Sequence, residues 1–466
     1  MYRFFLSWRY LKSRRTNWIG IVGIFVAVGA LILILSIMTG FLEESRKTIR
    51  GSLSDLIISP YLGSLDKPGA AAPEPGPLLE HLRADARVAA AAPHLVWFGM
   101  LLRDDAGSVS ILTNSMFSQR LGAKLVGIDP QAESAATFFS DALTRPTRMG
   151  SAVADPQDPF APPPEASPPG ASLRGRPRPS VIVGEQLFRT HGLHRGQVID
   201  IATAIPTQGG EWEISNREFV VAGTFRSGEN EMDLERIYFE REELARFLAG
   251  VDSGEDLPPS ALRYSEVLVK LVDYERDAAD MRANLARQLI DLGLLPRYSD
   301  EGVQTWEDFR RELLGAIRNE RALMAIMLSL VLLVAGFTIF AILSMMVTEK
   351  RRDIGILTAL GATPRGVMAL FLLIGWWDAL LGASAGALVG TWMAIEIDAI
   401  ERWLSATFGF EIFDRSVYLF AYIPSVVEPL RVALIVLGAF ACALAFAAIP
   451  AWKAGALDPL EALRYE

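Results

Sequence analysis

Four long stretches with almost no charge govern what this chain can fold into. Residues 16–42 run for 27 residues without an acid or base, residues 322–348 for another 27, residues 366–395 for 30 interrupted only by Asp378, and residues 432–452 for 21. A bilayer core of about 30 Å is crossed by about 20 apolar residues in a helix, so each stretch is long enough to span. One such run could be a buried helix of a water-soluble core; four together predict four membrane helices. Yet 21% of all residues are charged, too many for a chain wholly in lipid. A membrane part and a soluble part are expected. The net charge of −9 argues against nucleic acid as a partner, since that calls for a basic face. The single cysteine, Cys442, excludes an intrachain disulfide and a thiolate metal cluster.

Lys and Arg beside the spans predict their orientation. Arg3, Arg9, Lys12, Arg14 and Arg15 precede the first span, Lys350, Arg351, Arg352 and Arg365 lie between the second and third, and Lys453 and Arg464 follow the fourth. Four crossings place all three groups on the cytoplasmic side. The first apolar run is too long for a signal-peptide core and no small-x-small cleavage site stands directly before Glu43, so it is read as a retained span. The expected plan is a cytoplasmic start with span 1 (1–42), an external domain (43–320), span 2 (321–348), a charged cytoplasmic segment (349–365), span 3 (366–395), a short external loop (396–430), span 4 (431–452) and a cytoplasmic tail (453–466).

The external domain reads as mixed α/β. Strands are predicted at 109–113, 124–128, 180–184, 196–204, 211–225 and 265–271, the fifth partly alternating as a half-buried strand does. Helices are predicted at 77–85, 185–190, 240–248 and 277–292. Residues 43–54 and 305–321 are amphipathic and would continue spans 1 and 2 as a stalk. Residues 146–180 hold ten prolines, and 67–77 are similar. Proline lacks a backbone donor, so both are expected to be surface insertions that do not pack.

The sequence contains no G-x-x-x-x-G-K-[ST] and no H-E-x-x-H. His191 and His194 have a spacing that could suit a metal on a helix, but Gly192 lies between them and no further ligand is evident; no metal site is expected. Asp378 falls about 18 Å along its helix from Gly366, near mid-bilayer. A buried acid there is a functional candidate. The simpler reading, preferred here, is a protonated or hydrogen-bonded aspartate holding helices together beside Trp376 and Trp377, because an intramembrane aspartyl enzyme needs a second aspartate and the other spans have none. Gly382, Gly386 and Gly390 recur every fourth residue, a signal for tight helix packing in lipid.

The charged segment VTEKRRDIGILTALGATPRG (347–366) interrupts two membrane runs. On a helical wheel Ile354, Leu357 and Gly361 share one side, with Ile356 and Leu360 roughly opposite. A helix with apolar residues on both sides needs a body on each. One is the end of its own membrane helices; the other is either the lipid interface or a protein. Gly361 and Thr363-Pro364 stop the helix.

The stretch 349–390 resembles the signature of the FtsX-like permease family of ABC transporters, in which E-x-R-x-x-I-x-x-L-x-A-x-G-A forms a coupling helix that docks on a separate ATPase subunit. Glu349, Arg351, Ile354, Leu357, Ala359, Gly361 and Ala362 match it, and Lys350, Arg352 and Leu360 lie among them. The tail IPAWKAGALDPLEALRYE (449–466) resembles the family's closing motif. Within that family the chain is similar to the lipoprotein-releasing permeases of LolC/LolE type. The resemblance rests on LSWRYLKSRRTNW…MTGFLEESR at the start, LVGIDP (125–130), IVGEQLFRTHGLHRGQVIDI (182–201), FVVAGTFRSGENEMDLERIYF (219–239), TWEDFRRELLGAIRNERALM (305–324) and FDRSVYLFAYIPS (413–425). The Pro-rich insertion and Asp378 depart from it.

The resemblance implies a bacterial inner-membrane permease with a MacB-like periplasmic domain. It would pair with a second copy or a paralogue and with a LolD-like ATPase that holds the ATP and Mg, itself binding no cofactor. It would transmit ATP-driven motion to lift lipoproteins from the outer leaflet to a LolA-like periplasmic carrier. Ile37, Met38 and Phe41, at the outer end of span 1, are the candidates for the lipid-facing cavity. A MacB-like exporter of small molecules or peptides, and an FtsX-like signalling permease that activates a periplasmic hydrolase, are the alternatives.

Overall fold

The computed structural model of the protein describes residues 4–7, 9, 17–59, 75–102, 122–145, 152–164, 178–206, 212–253, 255–257, 263–295, 302–409 and 422–458. The strand expected at 109–113, Arg3, Lys12, Arg14, Arg15, Arg464, the end of the closing motif, most of 67–77 and 413–425, and much of the Pro-rich stretch lie outside them. The chain divides into two compact units: Met1–Glu44, Glu312–Arg415 and Phe420–Glu466 form one, and Ser45–Arg311 with Ser416–Leu419 the other.

Among the described residues the first unit is built on four helices long and apolar enough to cross a membrane: Asn17–Leu53, Arg311–Glu349, Pro364–Ile395 and Pro429–Gly455, here spans 1 to 4. The protein is thus an α-helical membrane protein with an α/β domain inserted between its first and second spans. Span 3 is the most buried of the four, and its glycines explain why. An added Cβ at Gly382 would lie 2.8 Å from the Ile21 carbonyl oxygen, at Gly386 2.7 Å from that of Phe25, and at Gly390 2.8 Å from the Gly29 Cα. Three successive turns of span 3 therefore touch three successive turns of span 1, backbone against backbone. On another side of span 3, Gly375 meets Ala447 of span 4, where a Cβ would approach within 2.6 Å.

Among the described residues the second unit holds nine strands: β1 (Leu56–Ile58), β2 (Val88–Leu102), β3 (Gly122–Ile128), β4 (Ser180–Gly184), β5 (Val198–Pro206), β6 (Trp212–Phe225), β7 (Arg236–Glu240), β8 (Glu266–Leu271) and β9 (Val303–Thr305). Their order is β3-β7-β4-β6-β5-β2-β8-β1-β9, and β3 also pairs with β2. That extra pairing closes six strands into a ring, while the first half of β2 joins β8, β1 and β9 in a separate antiparallel sheet. One 15-residue strand thus serves two sheets. Inward residues of the ring, among them Leu125, Val181, Ile201, Phe219 and Phe239, make one core; the helix Tyr274–Asp291 packs its apolar face on the second sheet to make another.

Four expectations need correction. The longest strand, β2, was not predicted, because its Ala run and Pro93 read as poor strand formers; Pro93 sits where the strand passes from one sheet to the other. Strand β6 does not alternate through its second half: residues 219–225 are all buried, since the ring covers one face and a second core lies on the other. Part of the Pro-rich stretch does pack. Val153 and Pro163 are buried, Phe160 lies against the core around Phe139 and Tyr238, and a Cβ at Gly223 would collide with the Val153 backbone at 2.8 Å. Finally, the segment expected as an external loop contains a helix, Ile397–Phe408.

Where β2 changes sheets, a buried charge cluster holds the register. His94 is 1% exposed; its Nε2–H donates to Glu133 Oε2 at 2.6 Å and its Nδ1–H to Glu266 Oε1 at 3.3 Å. Burial alone would lower the His94 pKa, but the two facing carboxylates outweigh it and raise it to about 9. Burial opposes ionisation of Glu266 as well, yet the hydrogen bond from His94 and the charge of Lys124 pull it down to about 2. The two ends of the domain are tied at one carboxylate: Glu229 accepts from Ser52 Oγ at 3.3 Å and from Arg310 Nη2 at 2.5 Å.

Two outcomes follow. The His94 contribution to stability is complete below about pH 6.5 and is lost as pH rises through about 9; that of Glu266 is complete above about pH 4.5 and is lost as pH falls through about 2. Thermal melts of the purified chain in detergent should therefore be highest between these limits, and His94→Leu should remove the alkaline decline. In the membrane unit, Gly386→Val forces spans 1 and 3 apart, and the same melts should show a loss of about 1–3 kcal/mol.

Candidate functional site

Between spans 2 and 3 the chain makes a short helix, Arg351–Ala359, and every feature of its ends is explained by local chemistry. Lys350 occupies the N-cap, leaving helical geometry for one residue, and its Nζ lies 2.8 Å from Asp353 Oδ2 in the first turn. At the other end the Ala362 amide donates to the Leu357 carbonyl at 2.9 Å and the Gly361 amide to Thr358 at 3.0 Å. This pair of reversed bonds is a Schellman motif, which needs a left-handed residue; Gly361 supplies it with φ +97°. Two residues later the Thr363 hydroxyl accepts the Gly366 amide at 3.2 Å and Pro364 takes the first helical turn, so span 3 starts at once.

The two sides of this hairpin differ. Ile354 is 1% exposed and belongs to the core formed by Met346 and Val347 of span 2, Val367 and Phe371 of span 3, and Ala451 and Ala454 of span 4. Gly355 is buried beside it, Leu357 is half-buried and Ala362 packs on the same core. Facing away are Arg352, Ile356, Ala359 and Leu360, at the four- and three-residue steps of one helix face. Ile356 is 45% and Leu360 81% exposed. Glu349 is exposed at the end of span 2 and Arg351 half-buried. The result is a small apolar patch with basic and acidic residues around it, carried on a helix whose opposite side is embedded in three spans. Leu360 was singled out from the sequence; Ile356 was recognised as apolar on that side but not as part of the site, and its four-residue spacing from Leu360 is the signal that pairs them.

The other sequence candidates lie elsewhere in this unit. Ile37, Met38 and Phe41 are half-buried on span 1. The opposite face, Ser36, Thr39 and Gly40, is buried, and it is held by residues that the sequence did not single out. The Val426 amide donates to the Ser36 carbonyl at 3.0 Å, Arg431 Nη1 donates to Thr39 Oγ1 at 2.9 Å, and a Cβ at Gly40 would meet the Pro424 backbone at 2.6 Å. Asp378 is 2% exposed among Gly20, Ile339 and Ile342, and its Oδ1 has no hydrogen-bond partner, so it does not hold helices together through that atom. Gly382, Gly386 and Gly390 form the contact with span 1 described above. His191 and His194 lie past the end of the helix Glu185–Thr190 with Gly192 left-handed between them, so their spacing does not place them on one helix face. Among the described residues no three His, Cys, Asp or Glu side chains converge as metal ligands would.

Comparison with known proteins adds a family to this geometry. The FtsX-like permease C-terminal family matches residues 325–459, and the MacB-like periplasmic core domain family matches residues 18–286. Over nearly its whole length the chain is similar to two proteins named lipoprotein-releasing system transmembrane protein LolC. That of Neisseria meningitidis serogroup B is 25% identical, with 98% of each chain covered. That of Xylella fastidiosa strain Temecula1 is 26% identical, with 98% of this chain and 97% of the other covered. The macrolide export ATP-binding/permease protein MacB of Syntrophobacter fumaroxidans is 30% identical over 135 residues, 29% of this chain and 16% of that one.

The two faces of the hairpin should respond differently to truncation. Ile354→Ala opens a cavity in the bundle and should cost about 2–5 kcal/mol, whereas Leu360→Ala should change stability by no more than about 0.5 kcal/mol. Thermal unfolding of the two purified variants measures the contrast.

Proposed function

The chain belongs to the MacB-type, FtsX-like permeases of ABC transporters, and from that premise we propose that it is the permease of a lipoprotein-releasing system. In this reading it works with a separate ATPase subunit and a second permease, draws lipoproteins from the outer leaflet of the bacterial inner membrane and passes them to a periplasmic carrier. Its termini and the 350–361 hairpin lie in the cytoplasm and the α/β domain in the periplasm, as the basic flanks call for.

The observation that carries the reading is the similarity to LolC proteins across 98% of the chain, α/β domain included. The match to the MacB protein of Syntrophobacter fumaroxidans covers 135 residues, while the MacB-like periplasmic core family matches residues 18–286. The second reading, export of a small molecule or peptide, is favoured by the match to that protein and by the FtsX-like permease model over residues 325–459, which include the hairpin, so that the same coupling device would serve either cargo.

The hairpin suits transmission of force. Ile356 and Leu360 offer an apolar patch to the ATPase, with Glu349, Arg351 and Arg352 at its edge to orient the contact. Ile354, embedded among spans 2, 3 and 4, delivers displacement to all three. Span 3 is pressed against the backbone of span 1 through Gly382, Gly386 and Gly390, so span 1 is displaced with it. Span 1 continues as one helix to Leu53. Ile37, Met38 and Phe41, on the side of span 1 away from the 424–426 segment, are the residues proposed to border the acyl chains.

The test is release of a tri-acylated lipoprotein from proteoliposomes holding the permease and its ATPase, with ATP and a soluble carrier outside. Release that requires ATP and is lost in Leu360→Glu, while that variant keeps the wild-type melting temperature, supports both the cargo and the docking face. Undiminished release by Leu360→Glu would overturn the docking face. ATP hydrolysis without lipoprotein release would favour the exporter.

A further inference from the structure

Three contacts from residues 424–431 fasten one side of span 1, at the end that the proposed orientation places outermost. The Val426 amide donates to the Ser36 carbonyl at 3.0 Å. A Cβ on Gly40 would lie 2.6 Å from the Pro424 backbone. Arg431 Nη1 donates at 2.9 Å to Thr39 Oγ1, whose own proton goes to the Leu35 carbonyl at 2.7 Å. Glu428 steadies the guanidinium from its own helix, with Oε2 2.8 Å from Arg431 Nε. Ser36 and Thr39 are 6% and 4% exposed, and no other residue between Asn17 and Leu42 carries a hydroxyl.

At about 100° per residue, Ser36, Thr39 and Gly40 fall on the side of span 1 that also bears Ile21, Phe25 and Gly29, the backbone contacts of span 3. Ile37, Met38 and Phe41 fall on the opposite side. Span 1 thus meets span 3 and the 424–431 segment along one strip. The three outer contacts differ in what they specify. A helix offers a carbonyl at every residue, so the Val426 amide would find another acceptor after a turn of about 100°. Gly40 makes room for Pro424, which is a matter of shape. The bond to Thr39 both attracts and selects, because a charged donor binds its acceptor more strongly than a neutral one and the span has only one other hydroxyl, a turn further in.

We propose that Arg431 is a positioning residue for cargo binding: by holding Thr39 it fixes the rotation of span 1 about its axis, so that Ile37, Met38 and Phe41 are the side presented to acyl chains. The inference rests on the lipoprotein-releasing reading and on those three residues as the border of the cargo. Arg431 acts from the far side of span 1 and does not touch the cargo itself.

The experiment uses the full chain with its ATPase in proteoliposomes and a tri-acylated lipoprotein whose acyl chains carry diazirines. Light joins each diazirine to whatever lies beside it, and mass spectrometry of the digested permease reads the labelled residues. Release with ATP and a soluble carrier is measured in parallel. The wild-type chain is expected to take label at Ile37, Met38 and Phe41. In Arg431→Met and in Thr39→Val the label should spread to Leu33 and Leu35, on either flank of that side, and release should fall severalfold. The double variant should be no worse than either single one, because both remove the same bond; additive losses would mean two unrelated structural roles and overturn the proposal. Arg431→Lys, which keeps a donor for Thr39 and a charge for Glu428, is expected to retain the wild-type pattern. If Arg431→Met melts below the wild type, Thr39→Val, which keeps the side-chain shape, carries the test. A wild-type label pattern in both single variants would overturn the proposal, and so would a spread pattern with undiminished release. A wild-type chain that releases lipoprotein but takes its label away from span 1 would overturn this inference alone. One that hydrolyses ATP yet neither releases lipoprotein nor takes label would overturn the lipoprotein reading, and this inference with it.

Discussion

Contact between the backbones of spans 1 and 3 is the constraint on which the membrane unit depends. In lipid, apolar side chains gain nothing by leaving their surroundings for another helix, so association rests on how closely two helices can approach. Here three glycines on span 3 remove the only atoms that would keep it from the carbonyls of Ile21 and Phe25 and the Cα of Gly29. The contact repeats every turn, which fixes the two helices in axial register as well as in distance. Spans 3 and 4 meet by the same device at Gly375 of span 3, against Ala447, and at Gly455 of span 4, where a Cβ would lie 2.7 Å from the Pro364 carbonyl oxygen. The 350–361 hairpin and the 424–431 segment then close opposite ends of an assembly whose middle is already set.

The α/β domain follows a different logic, because its elements meet in water. One strand, β2, is long enough to belong to two sheets, and the point of transfer is where an imidazole stands between two carboxylates. Ion pairs this deep are weak sources of stability compared with apolar packing, but breaking one leaves an uncompensated charge inside the protein. The cluster is therefore better understood as a means of specifying which residues face each other across the sheet junction than as a source of net stabilisation.

The membrane helices were legible in the sequence because uncharged length is a property of single residues and survives without knowledge of neighbours. The helical stop at Gly361 and Thr363-Pro364 was legible for the same reason: each residue acts on its own backbone. Strand β2 was not, since Ala and Pro93 are tolerated there only because β3, β5 and β8 supply the pairing that propensity lacks. Val153 and Phe160 were hidden within a proline-rich composition, and what admits Val153 is a gap left by Gly223, some 70 residues on. The hairpin's charged ring and apolar core were visible, but which side would be covered depends on the position of Ile354 among three spans, and that is a tertiary fact. The helix after span 3 was passed over as a loop.

The link from the hairpin to span 3 has a mechanical meaning. Leu360, Gly361 and Ala362 each return their amide to the helix they have just left, and Thr363 caps the one about to begin. No residue of this turn is left to act as slack. A joint of that kind transmits torque as well as thrust. A load arriving at Leu360, off the axis of span 3, acts on a short crank arm, and the response includes rotation of span 3 about its own length. Because the glycine row of span 3 is one narrow strip of its circumference, a turn of a few tens of degrees would roll side chains into the seam and wedge span 1 away, a sideways motion obtained from a push along the membrane normal.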